Sequence, residues 1–317
     1  MLLGERAGAE PAVQAPDPFA DDDLQLALYV SYELHYRGFD EVAEEWEWDP
    51  RLLGFRRALE APFVAAIESA VQRREHVAPE RVGSLLFELA AEDRGPSLSR
   101  FLATSGSAEH FRQFAIHRSA YQLKEADPHT WAIPRLEGAA KSALVEVQAD
   151  EYGSGRPERM HSRLFAEAMD ALGLDSTYGA YLELLPGTTL ATVNLISLFG
   201  LHRRWRGALV GHLAAFEITS PEPNRRYANG LRRLGLEAAT GFYDEHVEAD
   251  SVHENIAAYD LAGGLARQQP ELAAEIVFGA EALLELDARF ASVLLESWQA
   301  GRSSLREASV QNAPLAI

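Results

Sequence analysis

The sequence predicts an all-α protein, and three observations support that fold class. Apolar residues recur at helical spacing through most of the 317 residues, as at Leu59, Phe63 and Ala66. No run of alternating β-branched residues and no hairpin turn pair interrupts these stretches. The chain also lacks a strand followed by a phosphate-binding glycine loop. We therefore expect one compact helical domain, without internal repeats or a long linker.

Composition excludes several classes of partner and site. The formal net charge of −19 disfavours nucleic acid and anionic membranes, because both repel an acidic surface. The absence of cysteine excludes disulfides, iron–sulfur clusters and a cysteine nucleophile. No apolar run reaches the length of about 18 residues that marks a membrane span, and the N-terminus lacks the features of a signal peptide. We therefore expect a cytoplasmic protein with no nucleic-acid or membrane partner.

The N-terminal part of the chain is expected to contain a tail and then a helix. Residues 1–20 are rich in alanine, proline and acidic residues, which indicates a disordered tail. A helix should begin near Asp21, since carboxylates stabilise the positive end of a helix, and should end near Gly38. Glu33 and His35 are only two residues apart, so they would point to different sides of this helix. We expect them to form a hydrogen-bonding pair at its end and not to bind metal.

The remaining helices are predicted from apolar spacing and from the glycines and prolines that separate them. The predicted ranges are 51–75, 79–92, 96–105, 108–125, 131–152, 158–172, 176–184, 187–216 (with a break at Gly200 or Gly207), 222–234, 237–265 and 268–301. Helices in 21–105 are expected to pack on a bundle formed by 106–302, and residues 303–317 are expected to be frayed.

The strongest chemical signal lies between His246 and His253, with Asp250 between the two histidines. A helix turns by about 100° per residue, so offsets of four and seven place all three side chains on one narrow stripe. Imidazole nitrogen and carboxylate oxygen together suit iron, manganese or zinc. Because the chain has only ten histidines, this spacing favours a metal site over an acidic surface with incidental histidines.

A second candidate segment contains Glu151, Glu158 and His161. Glu158 and His161 have the i, i+3 spacing with which di-iron carboxylate proteins bind metal from a bundle helix. Glu151 lies seven residues before Glu158, so a continuous helix would place both carboxylates on one stripe. Two glycines and a proline between them make a continuous helix costly. We therefore expect a locally unwound segment beside the metal site.

Together these segments resemble the heme-oxygenase-like di-iron oxidases, and the resemblance covers roughly residues 100–300. The stretch Lys124–His129 resembles the helix that supplies the first glutamate of that family. Asp150–His161 resembles the second ligand segment, and His246–His253 the third. Tyr32–Phe39 is also similar to the N-terminal region of members described as iron-containing redox enzymes. The resemblance implies a heme-oxygenase-like helical bundle that holds two non-haem irons.

The resemblance also implies a ligand set of three histidines and four carboxylates. These are Glu125, Glu151, Glu158, His161, His246, Asp250 and His253. Glu151 is the additional glutamate by which this chain resembles the nitrogen-oxygenating members, so it is the expected catalytic residue. A further anionic ligand adds negative charge, which would stabilise ferric iron and tune the oxygen intermediate towards attack on an amine.

The implied function is that of a non-haem di-iron monooxygenase or oxidase. It would activate O₂ through a peroxo-diferric intermediate and oxygenate the nitrogen of an amine or amino-acid-derived substrate in specialised metabolism. Two iron ions are expected, with a manganese–iron pair as the alternative. An external reductase must return the metals to the ferrous state, because the chain has no flavin or iron–sulfur domain. A homodimer is left open.

Two alternative functions remain open from the sequence. The same centre could carry out oxidative decarboxylation or C–C cleavage of an amino or fatty acid, as other members of the family do. The chain could instead be a non-redox, metal-dependent helical binding protein. Thiaminase-like hydrolases share the fold but use a cysteine nucleophile, which this chain lacks.

Overall fold

The computed structural model describes residues 15–92 and 95–307, with the side chains of Asp250 and Ser251 also outside the described part. Within these ranges the chain is built from helices and contains no strand, so the all-α prediction is confirmed. The α-helices are α1 Asp22–Glu33, α2 Pro50–Ala70, α3 Val82–Ala91, α4 Leu98–Thr104, α5 Ala108–Gln122, α6 Asp127–Thr130, α7 Gly138–Glu151, α8 His161–Ala171, α9 Gly187–Leu201, α10 Arg206–Thr219, α11 Pro221–Arg233, α12 Gly241–Asn255, α13 Gly263–Gln268 and α14 Ala273–Gln299. A π-helical segment, Ile256–Ala262, joins α12 to α13.

The centre of the bundle is formed by α10 and α14, which lie in close contact, and α9 packs against both. Glycines allow this close approach. A Cβ at Gly211 would overlap the carbonyl oxygen of Ile276, and a Cβ at Gly279 would overlap that of Ala208. Only glycine lets the two backbones come so near, because it has no side chain. The contact fixes the position of α10, which borders the candidate metal site.

The helices before α5 lie on this bundle. Helix α1 packs against α9, where the amide of Asn194 donates to the backbone and side-chain oxygens of Gln25 at 2.8 and 2.7 Å. Both side chains are fully buried, so each needs the other to satisfy its hydrogen-bonding groups. The division into N-terminal helices and a bundle beginning at residue 106 stays a prediction.

The described ends of the chain also pack on the core. Phe19 is buried and lies edge-on to Phe63, with the ring centroids 6.0 Å apart. Ser304 is buried, and its backbone N–H and hydroxyl both donate to Gln113 Oε1 at 3.0 Å. The loose tails expected over residues 1–20 and 303–317 lie mostly outside the described residues and stay predictions. In the described parts of these ranges, a buried aromatic ring and a hydrogen-bonded serine hold the chain against the core.

The end of α1 differs from the expected pairing of Glu33 with His35. Glu33 instead forms an ion pair with Lys124, whose Nζ lies 2.8 Å from the carboxylate, and both side chains are 1% exposed. The hydroxyl of Tyr178 donates to the same carboxylate at 2.7 Å. His35 points to the other side of the helix, where it contacts Arg56. The prediction of a Glu33–His35 pair was therefore wrong. The expectation that the two side chains point in different directions was right.

One predicted helix begins later than expected, and another is absent. The helix predicted over 131–152 begins at Gly138, after a 3₁₀ turn at Ile133–Arg135. Gly138 has a φ of 56°, a left-handed conformation in which the chain changes direction. Residues 176–184 contain only a 3₁₀ turn at Leu182–Leu184. In the described part of the chain, no helix is both long enough and apolar enough to cross a bilayer.

Buried histidine makes the stability of this fold sensitive to acid. His117 lies on α5 between Thr189 Oγ1 at 2.7 Å and Ser304 Oγ at 3.0 Å. Burial lowers the pKa of His117 to about 3. An unfolded chain binds this proton near pH 6.5, so the stabilisation is complete above that pH. It is lost as the pH falls towards 3, by roughly 1.4 kcal/mol per pH unit.

We expect a His117→Gln variant to lose less stability in acid than the unchanged protein. Glutamine keeps polar atoms between Thr189 and Ser304 but does not titrate. Urea unfolding at pH 7 and pH 5 should show that the acid-induced decrease is about 2 kcal/mol smaller in the variant. Equal decreases in the two proteins would mean that His117 is already protonated in the folded state.

Candidate metal centre

Two adjacent groups of buried side chains in the described part of the chain have the composition of metal ligands. The first group consists of Glu125, Glu151, His161 and His246, and the second of Glu151, Glu217 and His253. Within each group, one nitrogen or oxygen atom of every residue lies within 4.8 Å of the others. Glu151 belongs to both groups. The structure therefore brings together five of the seven residues expected from the sequence, and adds Glu217.

The first group is held together by close contacts between imidazoles and carboxylates. His161 Nδ1 lies 2.8 Å from Glu151 Oε2, and His246 Nε2 lies 3.4 Å from Glu125 Oε1. The two imidazole rings are in contact, with centroids 4.3 Å apart and planes inclined at 52°. Burial raises the pKa of Glu125, while His246 lowers it. Cationic charge is thus the main requirement for keeping this carboxyl ionised.

The orientation of His246 is set by the backbone of its own helix. Its Nδ1–H donates to the carbonyl oxygen of Phe242 at 2.8 Å, because a carbonyl can only accept. This bond leaves Nε2 as the nitrogen that faces Glu125. Metal-binding histidines are commonly fixed in this way, with one ring nitrogen bonded to a carbonyl and the other available as a ligand.

The second group is centred on His253. Its Nδ1 lies 3.6 Å from Glu217 Oε2, and its Nε2–H donates to Asp150 Oδ2 at 3.1 Å. Burial alone would lower the pKa of His253, but Glu217 and Asp150 raise it to about 9. Burial raises the pKa of Glu217, and the neighbouring Glu151 raises it further. The neighbouring carboxyl groups therefore favour a positive charge on His253.

The six residues of the two groups come from five parts of the bundle, the turn after α5 and helices α7, α8, α10 and α12. Glu125 lies in the turn that follows α5, directly before Ala126, which has a φ of 75°. A left-handed alanine costs about 1 kcal/mol or more, which is typical of a site where geometry overrides backbone preference. Gln148 stabilises this turn, since its Nε2 donates to the Ala126 carbonyl at 3.0 Å. The side chain of Glu125 is 4% exposed.

The segment between Glu151 and His161 is unwound, in the place where the sequence predicted a break. Helix α7 ends at Glu151, and α8 begins at His161. Gly153 has a φ of 70°, and a Cβ there would lie 2.8 Å from the backbone of Arg159. The chain therefore folds back on itself tightly enough to place Glu151 beside His161, which a continuous helix would hold about 15 Å away.

Glu158 is not brought to either group. It lies in a 3₁₀ turn, Pro157–Arg159, and its side chain is exposed. Met160 has an extended conformation with ψ of 132°, which interrupts the helix between Glu158 and His161. The i, i+3 relation assumed from the sequence therefore does not exist in this structure. Asp250 lies on α12 with His246 and His253, but its side chain is outside the described part.

Glu217 is the one group member that the sequence reasoning missed. It lies near the end of α10, where it follows a long apolar stretch and its side chain is buried. It has no histidine at metal-ligand spacing, so no motif marked it. The available signal was a lone acidic residue on an otherwise apolar helix, which must face a compensating charge if it is buried.

The donors present are suitable for metal ions. Tyr121, Glu125, Glu151, Glu217 and His246 line one small cavity of about 10 Å³, which is room for a single water-sized occupant. Glu125 Oε2 is buried and accepts no hydrogen bond from any residue in the described part of the chain. With His161 and His253, the other histidines of the two groups, these side chains match the mixed oxygen and nitrogen ligands of iron. The residues therefore fit a metal centre.

A cleft connects this centre to the surface. It has a volume of about 330 Å³, and Glu125 and His246 form part of its wall. Aromatic side chains, including Phe114, Phe216 and Phe242, line part of the wall, together with polar residues such as Gln122 and Arg226. Small-molecule sites commonly have this form, an apolar cleft with a few polar groups at the reacting end.

Comparison with known proteins relates the chain to a protein family and to a curated relative. The family model of the iron-containing redox enzymes matches residues 112–288, which is more than half of the chain. A nitrosourea synthase from Streptomyces achromogenes subsp. streptozoticus is 25% identical over 191 residues. The aligned part covers 60% of this chain and 41% of that protein, so the chain corresponds to less than half of the relative's length.

Proposed function

The chain belongs to the iron-containing redox enzymes, and from that premise we propose that it is a non-haem di-iron oxygenase that oxygenates an amine nitrogen. The two adjacent ligand groups that share Glu151 carry the proposal, because they provide separate donors for two ions and one carboxylate common to both. Dinuclear sites hold their metals about 3.5–4 Å apart, a distance that a shared carboxylate can bridge.

We propose the following ligand assignment. Glu125, His161 and His246 would bind one ion, Glu217 and His253 would bind the other, and Glu151 would contact both. Asp250 is retained from the sequence as a further ligand of the second ion. When bound, the iron ions would supply the electrons for reduction of dioxygen.

The protein's own residues would orient the substrate and control the local charge. The rings of His161 and His246 are buried and in contact, so that bulk water is kept from this part of the site. Tyr121 lies beside both groups, and burial, then Glu125 and Glu151, raise its pKa well above 10. It therefore keeps its phenolic proton and can donate a hydrogen bond without adding negative charge.

Two observations support nitrogen as the oxygenated atom. The relative matched over 60% of this chain is a nitrosourea synthase, and nitrosation requires nitrogen to be oxidised. Glu151 is the additional carboxylate by which the sequence resembles nitrogen-oxygenating members, and it stands where the two groups meet. Added negative charge would favour the ferric state.

Product analysis tests the proposal directly. The Fe(II)-loaded protein is mixed with oxygen and a reductant in the presence of a panel of amines and amino acids. Mass spectrometry should detect a product one oxygen heavier, with the label from ¹⁸O₂ bonded to nitrogen. A product that has lost a carbon fragment would instead establish the decarboxylase or C–C-cleavage function. No oxygen consumption by the iron-loaded protein would favour the non-redox binding role.

Substitution of Glu151 by alanine should separate oxygen chemistry from metal retention. Each group keeps its other ligands in this variant, so we expect iron content to fall by less than half. The rate of oxygen consumption should fall by roughly 100-fold, because the carboxylate common to both ions is lost. Iron per chain and stopped-flow absorbance of the diferrous protein give the two quantities. Full activity would remove Glu151 from the mechanism and favour the carbon-cleaving alternative.

Metal binding should order the unwound segment that contains Glu158. Glu151 repels the other buried carboxylates without a cation, and the segment's glycines and proline give it low helix propensity. We expect amide hydrogen exchange in residues 150–160 and 244–254 to slow when Fe(II) is added anaerobically. We propose that Glu158 joins the ligands on this reordering, so that Glu158→Ala lowers iron retention.

Glu167→Ala is the matched control for Glu158→Ala, because Glu167 is an exposed glutamate on the adjacent α8 and pairs only with the exposed Arg163 in the described part of the chain. Its iron content should equal that of the unchanged protein. If protection in both segments is the same with and without iron, the site is preformed. Unchanged iron retention in Glu158→Ala would then show that Glu158 stays exposed and does not bind metal.

A further inference from the structure

Positively charged side chains gather at the corner where α9 turns into α10. This arginine corner consists of Arg73, Arg135, Arg203, Arg204 and Arg206. The last three come from the 3₁₀ turn between the two helices and from the first residue of α10. Arg73 comes from the loop after α2, and Arg135 from the 3₁₀ turn before α7. The whole chain has a formal net charge of −19, so this cluster is a local exception to its acidic character.

The corner is arranged around Trp205, which is buried beneath it. The guanidinium carbons of Arg73 and Arg204 lie 4.8 and 5.4 Å from the centroid of the indole ring. Arg135 donates to a carbonyl oxygen at the end of α9 at 3.2 Å. Burial, and then the nearby charge of Arg203, lower the pKa of Arg135. Stacking and hydrogen bonding thus hold several of these cations in place side by side.

Part of this positive charge is not neutralised within the chain. Arg73 pairs with Glu68 at 3.3 Å. Arg203 and Arg204 are exposed, and neither forms an ion pair with a described residue. A guanidinium presents its N–H groups in a planar fork that matches a carboxylate. The corner is therefore suited to bind the carboxylates of another molecule.

A buried path leads from the corner to the candidate metal ligands. Trp205 and His212 are seven residues apart, which places them near one stripe of α10 at a separation of roughly 10 Å. His212 Nδ1 lies 3.1 Å from His129 Nε2, and both imidazoles are buried. His129 lines the same small cavity as Glu125. Aromatic rings therefore occupy the space between the corner and the first ligand group.

The location of the corner indicates what its partner supplies. Arg206 is the first residue of α10, whereas Thr219, which lines the cleft, is the last. They are about 20 Å apart at helical rise, so a protein bound at the corner is poorly placed to deliver substrate to the cleft. The chain has no cysteine with which to hold an iron–sulfur cluster of its own, so its electrons must come from outside.

We propose that the arginine corner is the docking surface of a small acidic iron–sulfur protein that delivers electrons to the metal centre. Carboxylates of the partner would bind Arg203 and Arg204, and the opposite charges would accelerate the encounter. At each encounter the partner's cluster is oxidised by one electron, and one ferric ion is reduced to the ferrous state. Electron delivery rests on the proposed function, but binding of an acidic protein at the corner does not.

Binding of an oxidised plant-type [2Fe–2S] ferredoxin to the full chain tests the docking surface without turnover. Isothermal titration calorimetry is run with the iron-free and the iron-loaded protein, at low and at physiological salt. The affinity should fall about tenfold between the two conditions, because salt screens exposed charges. Cytochrome c, which has a basic surface, and a short DNA duplex serve as comparison probes. Both should bind more weakly than ferredoxin.

Charge-reversing variants assign the binding to the corner. Arg204→Glu should weaken ferredoxin binding at least about tenfold, because it replaces attraction by repulsion. Arg302→Glu is the matched control, since Arg302 is an exposed arginine beyond the end of α14 and its replacement changes the net charge equally. Its affinity should change less than about twofold. Arg204→Gln removes the charge without reversing it and serves if the glutamate variant folds poorly.

Anaerobic stopped-flow absorbance follows the electron itself. Reduced ferredoxin is mixed with the ferric protein, and oxidation of its cluster should be about tenfold slower with Arg204→Glu than with the unchanged protein. Reduction by dithionite, a small molecule that needs no docking surface, should be nearly equal in the two proteins. That equality would show that the variant has kept its metal centre.

The outcomes separate this inference from the proposed function. Equal ferredoxin affinities in Arg204→Glu and Arg302→Glu, or preferential binding of DNA or cytochrome c, would overturn the docking surface. Binding at the corner without oxidation of the ferredoxin cluster would overturn the electron-delivery role. Corner-dependent oxidation of ferredoxin by a protein whose product has lost a carbon fragment would support the inference while removing nitrogen oxygenation. Nitrogen oxygenation by dithionite-reduced protein that binds no ferredoxin would do the reverse.

Discussion

Substitution of His246 by alanine is expected to remove at least one equivalent of iron per chain and to abolish oxygen consumption. The imidazole of His246 contacts both the Glu125 carboxylate and the ring of His161. Its loss leaves Glu125 buried with fewer positive partners, so the remaining donors bind metal weakly. Iron per chain is measured by mass spectrometry after anaerobic loading, and helical content by circular dichroism.

His76→Ala provides the matched control, because His76 is exposed and lies in the loop after α2. It should bind as much iron as the unchanged protein. Helical content should be nearly the same in the unchanged protein and both variants, since His246 contributes more to metal binding than to the packing of the bundle. Two iron equivalents retained by His246→Ala would rule out the first ligand group as a metal site.

The second large effect concerns stability and the ion pair between Lys124 and Glu33. We expect Lys124→Met to lower the free energy of unfolding by about 3–5 kcal/mol, because it leaves Glu33 buried without its cation. Lys124 Nζ also lies 4.7 and 4.5 Å from the ring centroids of Tyr29 and Tyr36, and these cation–π contacts would be lost. Urea unfolding at neutral pH measures the change.

Two further variants serve as controls for the predicted loss of stability. The double variant Lys124→Met with Glu33→Gln should recover much of the lost stability, since it removes the buried charge as well as its partner. Arg163→Met breaks an exposed pair with Glu167 and should cost less than about 1 kcal/mol. A loss of that small size in Lys124→Met would show that water reaches Glu33.

The same ion pair links stability to the metal site. Lys124 directly precedes Glu125, so its anchor on α1 helps to set the turn from which Glu125 reaches the first ligand group. This link was invisible in the sequence, because Glu33 and Lys124 are distant along the chain. Only the packing of α1 against the bundle brings them together.

Spacing in the sequence marked the two candidate ligands that lie on one regular helix. His246 and His253 are seven residues apart on α12, and the structure places both side chains inside the bundle. Glu125 was identified through the family resemblance, because a lone glutamate in a turn carries no spacing signal. Glu217 was missed for the same reason. Glu158 was placed with His161 on the assumption of one continuous helical turn, which the extended conformation of Met160 interrupts.

The fold was predicted where apolar periodicity is strong, and less well where single residues redirect the chain. The long helix expected over 268–301 is observed as α14, with its ends within a few residues. The helix expected over 131–152 was too long by its first turns, because Gly138 adopts a left-handed conformation that periodicity does not reveal. Backbone reversals of this kind depend on tertiary packing, which a single sequence shows only indirectly.

The dispersion of the candidate ligands along the chain determines when the proposed centre can assemble. Its donors come from the turn after α5, from the ends of α7 and α8, and from α10 and α12. During synthesis α12 is the last of these to leave the ribosome, so neither ligand group is complete until most of the chain has been made. Contacts between distant segments also form late in folding. Iron would therefore enter a bundle whose framework already exists, and an incompletely folded chain would hold at most a partial set of ligands.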